Sequence, residues 1–590
     1  MMGAGTRRVR KVARVVLVAL VASCSGYQDA APTTVSSDNS LPVSTSSTVA
    51  PASTTTTTAT TPATVPAPVD AYSQPGWVAA ENQREGTEDW RIIGDPIDPV
   101  RDTPLAWIEG YADTTSAQPG QTVTLFVDTP AANFQVKAFR MGWYGGTQGR
   151  LVWRSPQAPG GRQPAAVFDS STGTAEARWA PSLSFTVSDG WPPGAYLLKL
   201  ESDAGGAHYV PLTIRRDSAA GDLVFMSAVT TWQAYNPWGG CTLYECFEPR
   251  TKFRATVVSF DRPYAHSYAQ GAADFPSHEL PLISFIEQQG FDVAYITNID
   301  LHREPGLGAS RAGLLSPGHD EYYSWPMREA LVGALDHGTN LAFFGANAVY
   351  RNIRFEPAGS GVADRRMANY RKNDAGSKDE RRLVTVNWRE PPLQLPESEI
   401  VGIQYGCAEV RADMRLVNTS SWIYDGTGAR DGQRLDNLVG VEFDELASGS
   451  RTPPGLEVLA ASMLECRNLT YQQVTAYHTV ASGAGVFAAG TIDWNCGLDG
   501  SCPGIPRFDI VRGVTLNLLN AFASGPAGLV HPSTANTRRY RVPVHEPTDP
   551  PEVPPTTTTS TAPPDPPSTA PPSTVPPPTE SSTTVTTTEG

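Results

Sequence analysis

At Gly221 the hydrophobic pattern of this chain changes, and with it the kind of sheet the chain can build. Upstream, Gln121-Thr122-Val123-Thr124-Leu125-Phe126-Val127 and Phe134-Gln135-Val136-Lys137-Ala138-Phe139-Arg140 alternate with period two, the pattern of strands with one buried face. Pro193-Gly194 leads into Ala195–Leu200, and Tyr209–Ile214 follows, so short strands between Pro/Gly turns predict a β-sandwich over residues 96–217. Downstream, Leu223-Val224-Phe225-Met226 is continuously apolar, as in a strand buried on both faces. Lys252–Phe260 reads as another strand, Glu279–Gln289 as a helix stopped by Gly290, Asp292–Thr297 as a strand, Pro326–His337 as a helix and Asn340–Phe344 as a strand. Alternating strand and helix predict a doubly wound α/β domain over 221–530. The expected fold class is therefore α/β and β.

The flanks obey a different logic. Arg7, Arg8, Arg10, Lys11 and Arg14 precede an apolar run from Val15 to Ala22. That run is far shorter than the roughly 20 residues of a membrane-spanning helix, and reads as a secretory signal over residues 1–23. It ends in Val21-Ala22-Ser23-Cys24, which looks like a lipobox with Cys24 as the acylated residue; Arg7-Arg8 leaves the Sec or Tat route open. Residues 24–71 and 546–590 are rich in Thr, Ser and Pro, and carry too little apolar surface to offset the entropy of ordering. They are expected to be a disordered linker and tail. The chain is thus expected to be exported and anchored to the membrane at the cell surface. A net charge of −15 excludes a basic nucleic-acid-binding face; an oligomer is compatible with the sequence.

Besides Cys24 there are six cysteines, at 241, 246, 407, 466, 496 and 502. Six allow about 15 connectivities. They fall into a close pair, a distant pair and another close pair, and in an oxidising compartment this favours Cys241–Cys246, Cys407–Cys466 and Cys496–Cys502. A metal site is the competing use, but no C-x-x-C occurs. His302, His337 and His478 have no partner at zinc-ligand spacing, and H-E-x-x-H is missing.

Ligands of open α/β sheets bind beyond the carboxyl ends of strands. That rule selects Thr231–Gly240, Ser316-Pro317-Gly318-His319-Asp320-Glu321-Tyr322-Tyr323-Ser324, Phe343-Phe344-Gly345-Ala346-Asn347 and Ser259-Phe260-Asp261-Arg262-Pro263-Tyr264. These segments, with Arg140-Met141-Gly142-Trp143-Tyr144-Gly145-Gly146 and Gly490-Thr491-Ile492-Asp493-Trp494, resemble the N,N-dimethylformamidase large (beta) subunit family over roughly residues 100–525.

The resemblance implies a β-sandwich joined to an α/β domain like that of class I glutamine amidotransferases. Those enzymes carry a cysteine nucleophile on a strand-to-helix turn, whereas the corresponding turn here is Gly345-Ala346-Asn347. It also implies ferric iron held by two tyrosinates and a glutamate. Glu321 matches the carboxylate and Tyr235 one phenolate; Tyr264 is the choice for the second, with Tyr268 and Tyr322 as alternatives. His319 is the implied base and Asn347 an orienting amide. The expected activity is a metal-dependent hydrolysis of an amide C–N bond in a small amide or envelope-derived substrate. The competing expectation is a non-catalytic envelope-binding protein, with Trp232, Tyr235 and Trp238 stacking on sugar rings. On residue type alone, Tyr235 reads as core packing, Glu321 beside Asp320 as solvated loop charge, and His319 as the cap of the next helix.

Overall fold

The structure is a computed structural model that describes residues 70–93, 107–247, 253–371, 381–447 and 451–540. The signal segment, Cys24, most of the linker and the Pro/Thr tail lie outside the described residues. Those described belong to one compact unit.

The amino-proximal half is an eight-stranded sheet folded on itself. The two alternating segments expected as separate strands form one strand, Thr122–Met141. Its first part pairs with Glu109–Ala112 and Leu183–Thr186, its second with Gly149–Arg154 and Gly194–Ser202. The change of partners falls around Pro130, where the register against Ala158–Gly161 shifts and proline supplies no amide hydrogen. Val123, Leu125, Val136, Ala138, Leu198 and Leu212 fill the core between the layers.

The second half is built on a seven-stranded sheet, ordered Val293–Thr297, Leu223–Ser227, Gly313–His319, Asn340–Ala346, Gly485–Ala488, Leu469–Thr479 and Glu457–Cys466. The first five run parallel, and the last two pairings are antiparallel, so that only Leu469–Thr479 runs against the rest. Leu223 and Phe225 pack into one core cluster and Val224 and Met226 into another, so both faces are covered, as the unbroken apolar run predicted. Helices Leu280–Gln288 and Asp509–Ala523 cover one face and Trp325–Asp336 the other. Lys252–Phe260 contributes only Val257–Ser259, and to a separate four-stranded sheet.

A buried ion pair joins the halves. The Arg140 guanidinium of the long strand meets Glu287 of the first helix at 2.5 and 2.9 Å, and neither side chain is exposed. Tyr295 and Asn82 donate to the same carboxylate at 2.6 and 2.9 Å, while Tyr144 and the Pro193 carbonyl accept from Arg140.

Three disulfides join Cys241–Cys246, Cys407–Cys466 and Cys496–Cys502, the pairing that the spacings favoured.

Candidate functional site

The Leu223–Ser227 strand has neighbours reached by opposite turns of the chain: Val293–Thr297 on one side and Gly313–His319 on the other. A crevice at the carboxyl ends follows from such a switch point. The segments leaving these two central strands carry Tyr235, His319 and Glu321.

Helix Val229–Tyr235 ends on Tyr235. Its exit is tied down by buried Arg262, which donates to Gln233 Oε1 and to the carbonyls of Trp238, Gln233 and Asn236 at 2.8 to 3.2 Å. Arg262 thus serves the site as a post. Glu321 follows the strand ending at His319, and its amide N–H donates to Thr231 Oγ1 at 2.9 Å. The helix beyond begins at Trp325 and is capped by Ser324, so His319 is not a helix cap. Asp320 is buried rather than solvated, bonded to Ser316, Asn298 and Tyr323.

The Glu321 carboxylate is the centre of the cluster. Tyr235 donates to Oε2 at 2.9 Å, and Tyr244 lies 2.8 Å from Oε1 and 2.7 Å from Oε2. The two phenol oxygens are 2.8 Å apart, with the rings stacked at 4.5 Å. Arg351 Nε pairs with Oε1 at 2.7 Å. His319 Nε2 stands 3.5 Å from Glu321 Oε2 and 3.6 Å from Glu442 Oε2, buried and without a hydrogen-bond partner. Glu442 comes from the distant strand Arg434–Glu445 and accepts from Asn347 Nδ2 at 2.8 Å. Asn347 has φ +56°, a left-handed conformation that asparagine tolerates, held by its N–H on Asp444 Oδ1 at 2.8 Å. Glu321 is fully buried, whereas Tyr235, Tyr244 and Glu442 are half-buried, so the cluster has a floor and a rim.

Electrostatics set the protonation states. Burial alone would raise Glu321, but Arg351 and His319 outweigh it and hold the carboxyl at about 2. Burial would depress His319; the Glu442 and Glu321 carboxylates reverse that and lift it to about 9. Burial, aided by Glu321, pushes both Tyr235 and Tyr244 well above the ordinary phenol value. Burial also raises Asp444, to about 7. Without a cation the phenols therefore stay protonated; a multivalent cation among these oxygens reverses that preference.

Among the described residues no group of three His, Cys, Asp or Glu is spaced to hold a metal. A cation here would be held by the phenol oxygens of Tyr235 and Tyr244 together with Glu321. Two phenols and a carboxylate meeting at one point fit a hard cation.

Tyr264, chosen from the sequence as the second phenol, sits elsewhere. Its ring packs edge-on against Trp232 and Tyr268, and its carbonyl meets His208. Tyr322 touches the cluster only through its hydroxyl on that of Tyr244, at 2.9 Å. Sequence reasoning missed Tyr244, Arg351 and Glu442. Tyr244 carried one usable signal, its place between the closely spaced Cys241 and Cys246. Trp232 is buried and Trp238 packs edge-on against Trp179, so the aromatic segment is not an open platform for sugar rings.

Residues 135–507 match the family model for the N,N-dimethylformamidase beta subunit-like C-terminal region, and the chain belongs to that family. No curated protein sequence matches. Among solved structures, a cycloisomaltooligosaccharide glucanotransferase of Paenibacillus sp., complexed with cycloisomaltoheptaose, shows 11% identity with a TM-score of 0.13. The alignment covers 32% of this chain and only 27% of that one, and carries no argument about fold or function.

Proposed function

We propose that this protein is a metal-dependent hydrolase of an amide C–N bond, with ferric iron held by Tyr235, Tyr244 and Glu321. The observation that carries the reading is the convergence of two phenol hydroxyls on the buried Glu321 carboxylate. Membership of the dimethylformamidase-like family supports the reaction class.

When bound, such an ion supplies Lewis-acid charge that polarises a carbonyl and makes water more acidic. The chain's own residues do the rest. Arg351 orients Glu321 and offsets its charge. The two carboxylates keep His319 protonated in the metal-free site. With that pull offset by the charge of a bound cation beside Glu321, His319 is placed to accept a proton from the attacking water and return it to the departing amine. Asn347 is anchored to Glu442 through its amide NH2, and its Oδ1, buried without a partner, is free to accept from the substrate N–H or the attacking water. The left-handed Asn347 turn supports the finer likeness to class I glutamine amidotransferases; it offers an amide in place of a thiol, so the reading contains no acyl-enzyme. The lipobox-like segment ending at Cys24 supports a surface-tethered enzyme acting on a small amide or an envelope-derived one.

Metal analysis of the purified protein tests the reading. One iron per chain with a visible tyrosinate-to-iron absorption is expected, and a colourless protein that takes up no iron rules it out.

A further inference from the structure

Tyr244 lies on neither a helix nor a strand. It sits in a six-residue loop that Cys241 and Cys246 close, with their backbones facing as an isolated bridge pair. Inside the loop, Thr242 Oγ1 accepts the N–H groups of Tyr244 and Glu245, both at 3.0 Å, and the Thr242 N–H donates to the Glu245 carbonyl at 2.8 Å. Outside it, the Leu243 N–H donates to the carbonyl of Ala234, next to Tyr235, at 2.9 Å. Arg371 donates to the Leu243 carbonyl at 3.0 Å and stands 5.1 Å over the Tyr244 ring. The two phenol-bearing segments thus form one piece, whose shortest closure is covalent.

We propose that the Cys241–Cys246 disulfide is a positioning device for Tyr244, holding its hydroxyl against both Glu321 oxygens so that the metal-binding face exists before metal arrives. The inference rests on the reading of Tyr235, Tyr244 and Glu321 as ligands. A loop without the cross-link gains conformations that binding must then remove, which lowers affinity for any ion needing the second phenol. Forming the bond requires a thiol–disulfide oxidant that takes two electrons and two protons from the paired thiols, leaving one S–S bond. Full metal affinity therefore belongs to chain that has been oxidised, which couples assembly of the site to an oxidising compartment.

Titration with ferric nitrilotriacetate, followed by iron stoichiometry and by the visible tyrosinate-to-iron band, tests this. Cys241→Ala/Cys246→Ala is expected to bind iron at least tenfold more weakly (about 1.4 kcal/mol), with a band reduced toward that of Tyr244→Phe. Cys496→Ala/Cys502→Ala, which removes a distant cross-link, should match the parent in both. Thermal melting of each variant separates loss of fold from loss of positioning. Thr242→Val, which keeps the cystine but removes the hydroxyl that turns the loop, should also weaken the band. A cross-link-free protein with parental affinity and band overturns this inference alone. A parent that takes up no iron overturns it together with the proposed function.

Discussion

The hydroxyl of Tyr244 reaches both carboxylate oxygens of Glu321, at 2.8 and 2.7 Å, across 77 residues of sequence. That contact decides which tyrosines matter. Glu321→Gln and Tyr244→Phe should each remove most of the bound iron and its colour, whereas Tyr264→Phe should keep both. Inductively coupled plasma analysis beside a visible spectrum checks this, and colour loss in Tyr264→Phe would contradict the arrangement.

His319 tests the chemistry apart from the ligands. On any amide that the parent hydrolyses, His319→Gln should retain iron yet lose about 10²–10⁴ in kcat, the usual range for a positioned acid–base group. Steady-state kinetics at matched iron content measure it. An unchanged kcat removes His319 from the reaction.

The buried pair between the halves predicts a stability effect. Arg140→Met leaves the buried Glu287 carboxylate without its cation, with the neutral Tyr295 hydroxyl and Asn82 amide still bonded to it, and should cost about 3–5 kcal/mol. Arg507→Ala breaks a solvent-exposed pair with Asp509 and should change stability by less than about 1 kcal/mol. Denaturant melts of the two variants should differ by at least about 2 kcal/mol; equal stabilities would show that the buried pair does not join the halves.

A pH dependence follows from Glu109. Its buried carboxylate accepts the Trp238 indole N–H at 3.0 Å, and burial raises its pKa to about 7. The folded chain then holds this proton more tightly than the unfolded chain does. The stabilising contribution is complete below the ordinary value of 4.5 and is lost as pH climbs through about 7, at up to about 1.4 kcal/mol per pH unit. Glu109→Gln keeps an acceptor and removes the titration, so its Tm should exceed the parent's at about pH 8 and converge on it near about pH 5. A parallel pair of Tm profiles would refute the assignment.

The alternation of strand and helix was legible because periodicity is local, and it located Tyr235, His319 and Glu321 at strand ends. The single long strand through Pro130 was not, since a change of partners leaves no mark on alternation. Tyr244 escaped because a disulfide and hydrogen bonds to other segments place it, without any periodic element of its own. Glu442 escaped for a different reason: it reaches the site from an antiparallel pair more than a hundred residues downstream, and only tertiary packing brings it to His319. Arg351 follows the Asn347 turn, where a buried guanidinium paired with Glu321 has no local signature.

The left-handed turn at Asn347 has a pharmacological corollary. It presents an amide rather than a nucleophile, and all six described cysteines are consumed in disulfides. Alkylating, phosphonylating and β-lactone warheads, which need a thiol or an activated hydroxyl to modify, should leave this rim unlabelled. Hydroxamates and catechols, which compete for hard cations, are the scaffolds from which a blocker of such a pocket should be drawn.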